Sequence, residues 1–117
     1  ENLFREYKNW LLNSGFDTDD FCVGGSGTLS AYGLRDCRDI DFLHREKHFE
    51  TNSSIISCHN KEIHNYNHKK DEIIFNPDNH FYHMTLKFAS LEVIKQLKEK
   101  RGEPKDIKDV QLMSKFL

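Results

Sequence analysis

The sequence predicts an α+β domain, a mixed β-sheet with helices packed mainly on one face, spanning residues 1–117 as a single unit. Three observations predict it. Apolar residues recur at helical spacing at both ends of the chain, and short β-prone runs fill the middle. Nine Phe, four Tyr and one Trp among 117 residues supply the large side chains that a small core needs.

Taking the elements in order, Leu3, Phe4, Tyr7, Trp10 and Leu11 recur at spacings of three and four, which predicts a helix from Glu1 to Ser14 that Gly15 ends. Asp17 to Asp20 is a polar turn. Phe21-Cys22-Val23 reads as a buried strand stopping at Gly24-Gly25. The small residues from Gly27 to Gly33 predict a short helix, and the charged stretch from Leu34 to Arg38 a loop. Asp39-Ile40-Asp41-Phe42-Leu43 alternates polar with apolar as a half-buried strand does, so Asp39 and Asp41 share one face.

Beyond a polar stretch at 44–53, four runs read as successive strands: Ser54–Cys58, Glu62–Tyr66, Glu72–Phe75 and Phe81–Phe88. Ser90 caps an amphipathic helix with Leu91, Val93, Ile94 and Leu97 inward and Gly102 at its end. Pro104 suits a first helical turn, and Ile107, Val110, Met113 and Phe116 continue at helical spacing.

Composition narrows the function. Seventeen Lys and Arg against nineteen Asp and Glu leave no excess positive charge to track a nucleic-acid backbone. No apolar run approaches the roughly 20 residues of a membrane span, and no secretory leader pattern is present. Three cysteines without a CxxC pair predict free thiols in a reducing compartment, by default the cytoplasm. The first residue is Glu rather than Met, which suggests a piece of a longer chain and leaves room for a partner domain or protein.

The segment from Phe21 to Leu43 carries the chemistry. Gly24 and Gly25 let backbone approach a ligand closely, and Ser26 adds a hydroxyl at a helix start, where a phosphate fits. The carboxylates of Asp39 and Asp41, side by side on a strand, repel unless a cation is shared, and Mg²⁺ resolves that repulsion. Arg35 and Arg38 lie between the two elements within reach of phosphate oxygens. The usual fates of such residues are an ordinary turn and solvated edge carboxylates; their coincidence favours a site. No Walker motif or dinucleotide fingerprint is present. The histidines, among them His59, His64 and His68, have no cysteine partners at zinc-finger spacing and read as surface residues.

Gly24-Gly25-Ser26 after a strand, followed thirteen positions beyond the serine by Asp39-Ile40-Asp41 on the next strand, resembles the nucleotidyltransferase superfamily that shares the polymerase β fold. Lys87-Phe88-Ala89-Ser90, the lysines at 95 and 98, Arg101 and Lys105-Asp106-Ile107-Lys108-Asp109 look like the closing helices of small bacterial members, extending the resemblance over about residues 20–116. The resemblance implies a Gly-Ser pair gripping a nucleoside triphosphate (ATP by family frequency) and two aspartates holding Mg²⁺ in a two-metal site. It also implies a third carboxylate on a neighbouring strand that activates an acceptor hydroxyl, the acceptor being unidentified. Asp71 or Glu72 are the candidates for that carboxylate, with Asp71 preferred and Glu62 next. Lys95, Lys98, Lys100, Arg101 and Lys105 read as the solvated side of two helices, from which one or two contact triphosphate. The alternative is a catalytically degenerate binding module of the same fold, an antitoxin-like domain or an accessory domain of a surface-glycan enzyme.

Overall fold

The computed structural model describes residues 2–117, so Glu1, where the sequence pattern starts the first helix, lies outside the described residues. The architecture is α+β, built on a five-stranded mixed sheet of order β3-β2-β1-β5-β4. The strands are β1 (Phe21–Val23), β2 (Ile40–His44), β3 (Ile56–Cys58), β4 (His80–His83) and β5 (Leu86–Ala89). The helices are α1 (Asn2–Asn13), α2 (Ser26–Ala31), α3 (Lys70–Phe75), α4 (Leu91–Arg101) and α5 (Pro104–Phe116). β1 runs antiparallel to β2 and parallel to β5, β2 runs parallel to β3, and β4 and β5 form a hairpin. The radius of gyration, 13.2 Å, is that of a compact chain of this length.

Side chains alternate across the sheet and build a core on each face. Phe21, Val23, Ile40, Phe42, Ile56 and Phe88 meet Phe4, Tyr7 and Leu11 of α1 on one side, with Trp10, Phe16 and Phe49 packed around them. Cys22, Leu43 and Ala89 meet Ile73 and Ile74 of α3, the inner face of α4 and Met113 of α5 on the other. Asp41 and Ser57 alternate onto this second face, beneath α4 and α5. The Thr28 hydroxyl donates to the Ala89 carbonyl at 2.8 Å and pins α2 to β5. All three cysteines are free thiols. Among the described residues no helix is long and apolar enough to cross a membrane.

Three sequence expectations need correction. Glu62–Tyr66 is not a strand but part of a 3-10 turn spanning Asn60–Asn65, in which Ile63 and Tyr66, three apart, share the inward side. Glu72–Phe75 belongs to α3, whose first turn carries Asp71 and Glu72, and the Glu72 carboxylate accepts the Lys69 N–H at 2.9 Å as an N-terminal cap. Short apolar runs fit either element by periodicity, and here the acidic first turn decides. Phe81–Phe88 is two strands, not one: Met84 and Thr85 turn the hairpin with φ of 54° and 62°, without the glycine or asparagine that normally marks such a turn.

A fourth correction concerns α5. Its buried face is Asp106, Asp109 and Met113, while Ile107 and Phe116 are more than half exposed. The apolar stripe is rotated because α5 packs against a basic stretch of α4 and meets it with carboxylates.

Candidate functional site: a cavity between an acidic and a basic wall

The bend after β1 is laid directly on β2. The Gly24 N–H donates to the Asp41 carbonyl at 2.8 Å, and Gly25 follows with φ of 54° and ψ of −137°, a conformation in which a side chain is strained. A Cβ on Gly25 would lie 3.4 Å from Asp41 Oδ2, so backbone and carboxylate are already apposed. A Cβ on Gly24 would run into the Tyr66 hydroxyl, which makes Gly24 a packing position under the bend rather than a ligand contact. Burial raises the Tyr66 pKa well above its ordinary value, so the ring forms a neutral floor.

The acidic wall consists of Asp39, Asp41 and Glu62. Asp41 stands opposite Ser57 in the β2–β3 register, and the Ser57 hydroxyl donates to Asp41 Oδ1 at 3.2 Å. His59 Nε2 lies 3.0 Å from the same oxygen. Backbone geometry fixes this histidine: its N–H donates to the Phe42 carbonyl at 2.7 Å, extending the parallel ladder. The next residue, buried Asn60, bridges the His44 N–H and the His44 and Glu46 carbonyls at 2.8–3.0 Å. Burial opposes ionisation of Asp41, but the His59 and Ser57 hydrogen bonds outweigh it and hold the carboxyl below its usual pKa. The hydrogen bond to Asp41 raises the His59 pKa in turn, against burial.

The basic wall is a network across α4 and α5. Asp109, 3% exposed, takes Arg35 bidentately at 2.7 and 2.8 Å and Lys98 at 2.9 Å. Asp106, fully buried, takes Arg101 at 2.7 and 2.8 Å and Lys98 at 3.5 Å. Lys98 itself is only 2% exposed. Glu103, half exposed, also pairs with Arg101 at 3.4 Å, so three cations meet three carboxylates, and Lys105 at the cavity edge adds the further positive charge. Arg35 also donates to Ser26 Oγ at 2.8 Å, which leaves the serine proton available to a ligand. With four of its five N–H groups engaged by Asp109, Ser26 and the Asp36 carbonyl, Arg35 chiefly holds the bend in place. α2 has only six residues, so positive charge in this cavity comes from side chains far more than from that helix terminus.

Between the walls lies a cavity of about 150 Å³, room for roughly five waters at ~30 Å³ each. Gly25, Ser26, Arg35, Asp39 and Asp41, all singled out in the sequence, line it together. Gly24 sits behind it, and Arg38 is exposed outside it. Asp71 and Glu72 are exposed on α3 and do not reach it; Glu62, the next candidate, does. Sequence reasoning missed His59, taken as a surface residue, and Lys98 and Arg101, taken as a solvated face. A signal for the lysine existed: Lys98 falls four residues after Ile94 on the helix's inner stripe, where only a paired charge is tolerated. A shallower groove of about 440 Å³ adjoins the cavity and shares His59 and Glu62 with it.

The acidic wall carries oxygen donors of the kind a hard cation takes. Mg²⁺ takes one or two protein carboxylates and completes its octahedron with phosphate oxygens and water. Asp39 and Oδ2 of Asp41 carry no protein hydrogen bond among the described residues and match that donor set. Among the described residues no three His, Cys, Asp or Glu side chains form a cage that would hold a metal alone, so a bound phosphate would have to supply the remaining ligands. Comparison with known proteins finds no family model, no curated protein and no solved structure that matches this chain.

Proposed function

We propose that the cavity binds the polyphosphate of a nucleoside triphosphate with Mg²⁺, and that the domain is nucleotidyltransferase-like, transferring a nucleoside monophosphate to a hydroxyl acceptor. The observation that carries this reading is the facing of two walls: free carboxylate oxygens at Asp39 and Asp41 opposite Lys98, Arg101 and Lys105, with the Gly25-Ser26 bend between them. A cavity of about 150 Å³ is smaller than the ~300–1,000 Å³ of whole-ligand sites, which suits phosphates inside and the nucleoside across the open lip.

In this reading Lys98, with two of its three protons on Asp106 and Asp109, has one left for a phosphate oxygen. Arg101 and Ser26 orient the same chain of phosphates, and Asp39 and Asp41 would hold the metal. A bound Mg²⁺ would supply charge neutralisation on the transferring phosphate. The acceptor oxygen attacks the α-phosphorus, the bond to the bridging α–β oxygen breaks and pyrophosphate leaves. The acceptor proton passes to Glu62, the one remaining cavity carboxylate, so the acceptor enters from the adjoining groove that Glu62 also lines. ATP is the default donor.

A second reading, a binding module without turnover, is favoured by one observation: the residue opposite Asp41 on β3 is Ser57, where a third carboxylate would stand. Incubation with ATP and Mg²⁺ separates the two. Enzymatic transfer predicts pyrophosphate release lost in Asp39→Ala and Asp41→Ala. The module predicts an ATP- and Mg²⁺-dependent rise in melting temperature without release. If both responses are absent, the polyphosphate reading is overturned.

A further inference from the structure

Two lysines are buried among the described residues, Lys98 at 2% exposed and Lys87 at 7%, and their surroundings differ. Lys98 lies between two carboxylates, whereas Lys87 on β5 forms no salt bridge among the described residues. Its Nζ donates to the Asp19 carbonyl at 2.7 Å and to the Ile74 carbonyl at 2.8 Å, and lies 5.3 Å from the centre of the Phe75 ring. The Ile74 bond caps the C-terminal end of α3. The two preceding carbonyls, of Glu72 and Ile73, are capped by the Asn79 amide at 2.9 Å and His80 Nδ1 at 2.8 Å. Capping therefore needs a donor and not a full charge, and a helix of six residues has little dipole to favour one. Two carbonyls also leave the third ammonium proton unassigned. Burying an ammonium ion without an anion is costly, and buried charges are as a rule paired.

Lys87 lines a cleft of about 340 Å³ with Asp19, Phe75, Pro77, His80 and Tyr82, at the end of the sheet where β1 begins, opposite the end that carries the Gly25 bend. None of these residues lines the cavity of Asp39 and Asp41. Phe75 and Tyr82 stand about half exposed on the cleft, and its volume lies within the ~300–1,000 Å³ of whole-ligand sites. We propose that this cleft binds a small flat organic acid, its carboxylate taking the third proton of Lys87 and its apolar body lying against Phe75 and Tyr82. The ligand supplies the counter-charge that the fold withholds from Lys87. A monocarboxylate is the class that fits, because Asp19, exposed on the rim, opposes a dianion such as phosphate. The proposal stands apart from the polyphosphate reading of the other cavity.

The test is a titration of benzoate into the full chain, followed by amide NMR. Saturable shifts are expected at Asp19, Phe75, Tyr82 and Lys87, with a dissociation constant of about 1 mM for so small a ligand. Benzamide, the same shape without the charge, should bind about tenfold more weakly, and inorganic phosphate should not displace benzoate. Tyr82→Ala, at an exposed position, should weaken benzoate about fivefold, and Lys87→Met should abolish its binding. Lys87→Met also removes two internal hydrogen bonds, so its fold is checked by circular dichroism, and the benzamide comparison stands without it. Absence of saturable shifts, benzamide binding as tightly as benzoate, phosphate displacing benzoate, or unchanged affinity in Tyr82→Ala overturns the proposal.

Discussion

Replacing Asp109 by alanine tests whether α5 holds the basic wall together. Asp109 takes the Arg35 fork at 2.7 and 2.8 Å and Lys98 at 2.9 Å. Its loss leaves Lys98, 2% exposed, with only the 3.5 Å contact to Asp106. Removing one partner of a buried ion pair costs about 3–5 kcal/mol. The lower end applies, because Asp106 remains and Arg35, a third exposed, regains water when released. A loss of about 3 kcal/mol at ~4 °C per kcal/mol for a chain of this size lowers the melting temperature by about 12 °C. Thermal and urea unfolding followed by circular dichroism measure it. Lys98→Met with Asp109→Leu removes charge and partner together and should recover most of the loss. A loss below about 1 kcal/mol in Asp109→Ala, or a double variant no more stable than the single, refutes the account.

The remaining predictions concern acid, the bend and the hairpin. Burial opposes ionisation of Asp106, but the Arg101 hydrogen bond outweighs it and holds its pKa at about 2. The folded value lies below the unfolded ~3.9, so this contribution, roughly 2 kcal/mol, is present above pH 4 and lost as pH falls from about 4 to 2. Acid unfolding of Asp106→Asn should lack that component. Gly24→Ala drives a methyl into the Tyr66 hydroxyl and should cost about 1–3 kcal/mol, most of it recovered in Gly24→Ala with Tyr66→Phe; equal melting temperatures for the two variants would contradict the contact. Thr85, a β-branched residue at φ of 62°, is strained in its turn, and Thr85→Gly should stabilise the chain by about 1 kcal/mol in urea titrations.

The sequence by itself determined the elements whose signals are local. Ser90 and Gly102 bound α4 because a hydroxyl accepts the Val93 N–H at 3.2 Å and a glycine takes φ of 65°. The spacing of Phe4, Tyr7 and Leu11 gave α1 one buried face, and alternation put Asp41 on the face opposite Phe42. The meeting of the Gly25 bend with Asp39 and Asp41 was legible too, since consecutive short elements joined by a tight turn have few ways to pack. Periodicity failed where runs were short, at Ile63–Tyr66 and Ile73–Phe75, and where a turn lacked its usual residues, at Met84-Thr85.

Only the tertiary structure decided which charges are buried. Lys98, Arg101, Asp106 and Asp109 look like an ordinary solvated helix surface in one dimension. They become the wall of a cavity because α4 and α5 cross with those faces inward, and a charge is tolerated there only when its partner arrives from the other helix. His59 reaches Asp41 by strand register, a relation between residues eighteen apart that no local pattern encodes. Burial and pairing belong to the assembled layers, and the chemistry of this cavity is set by them.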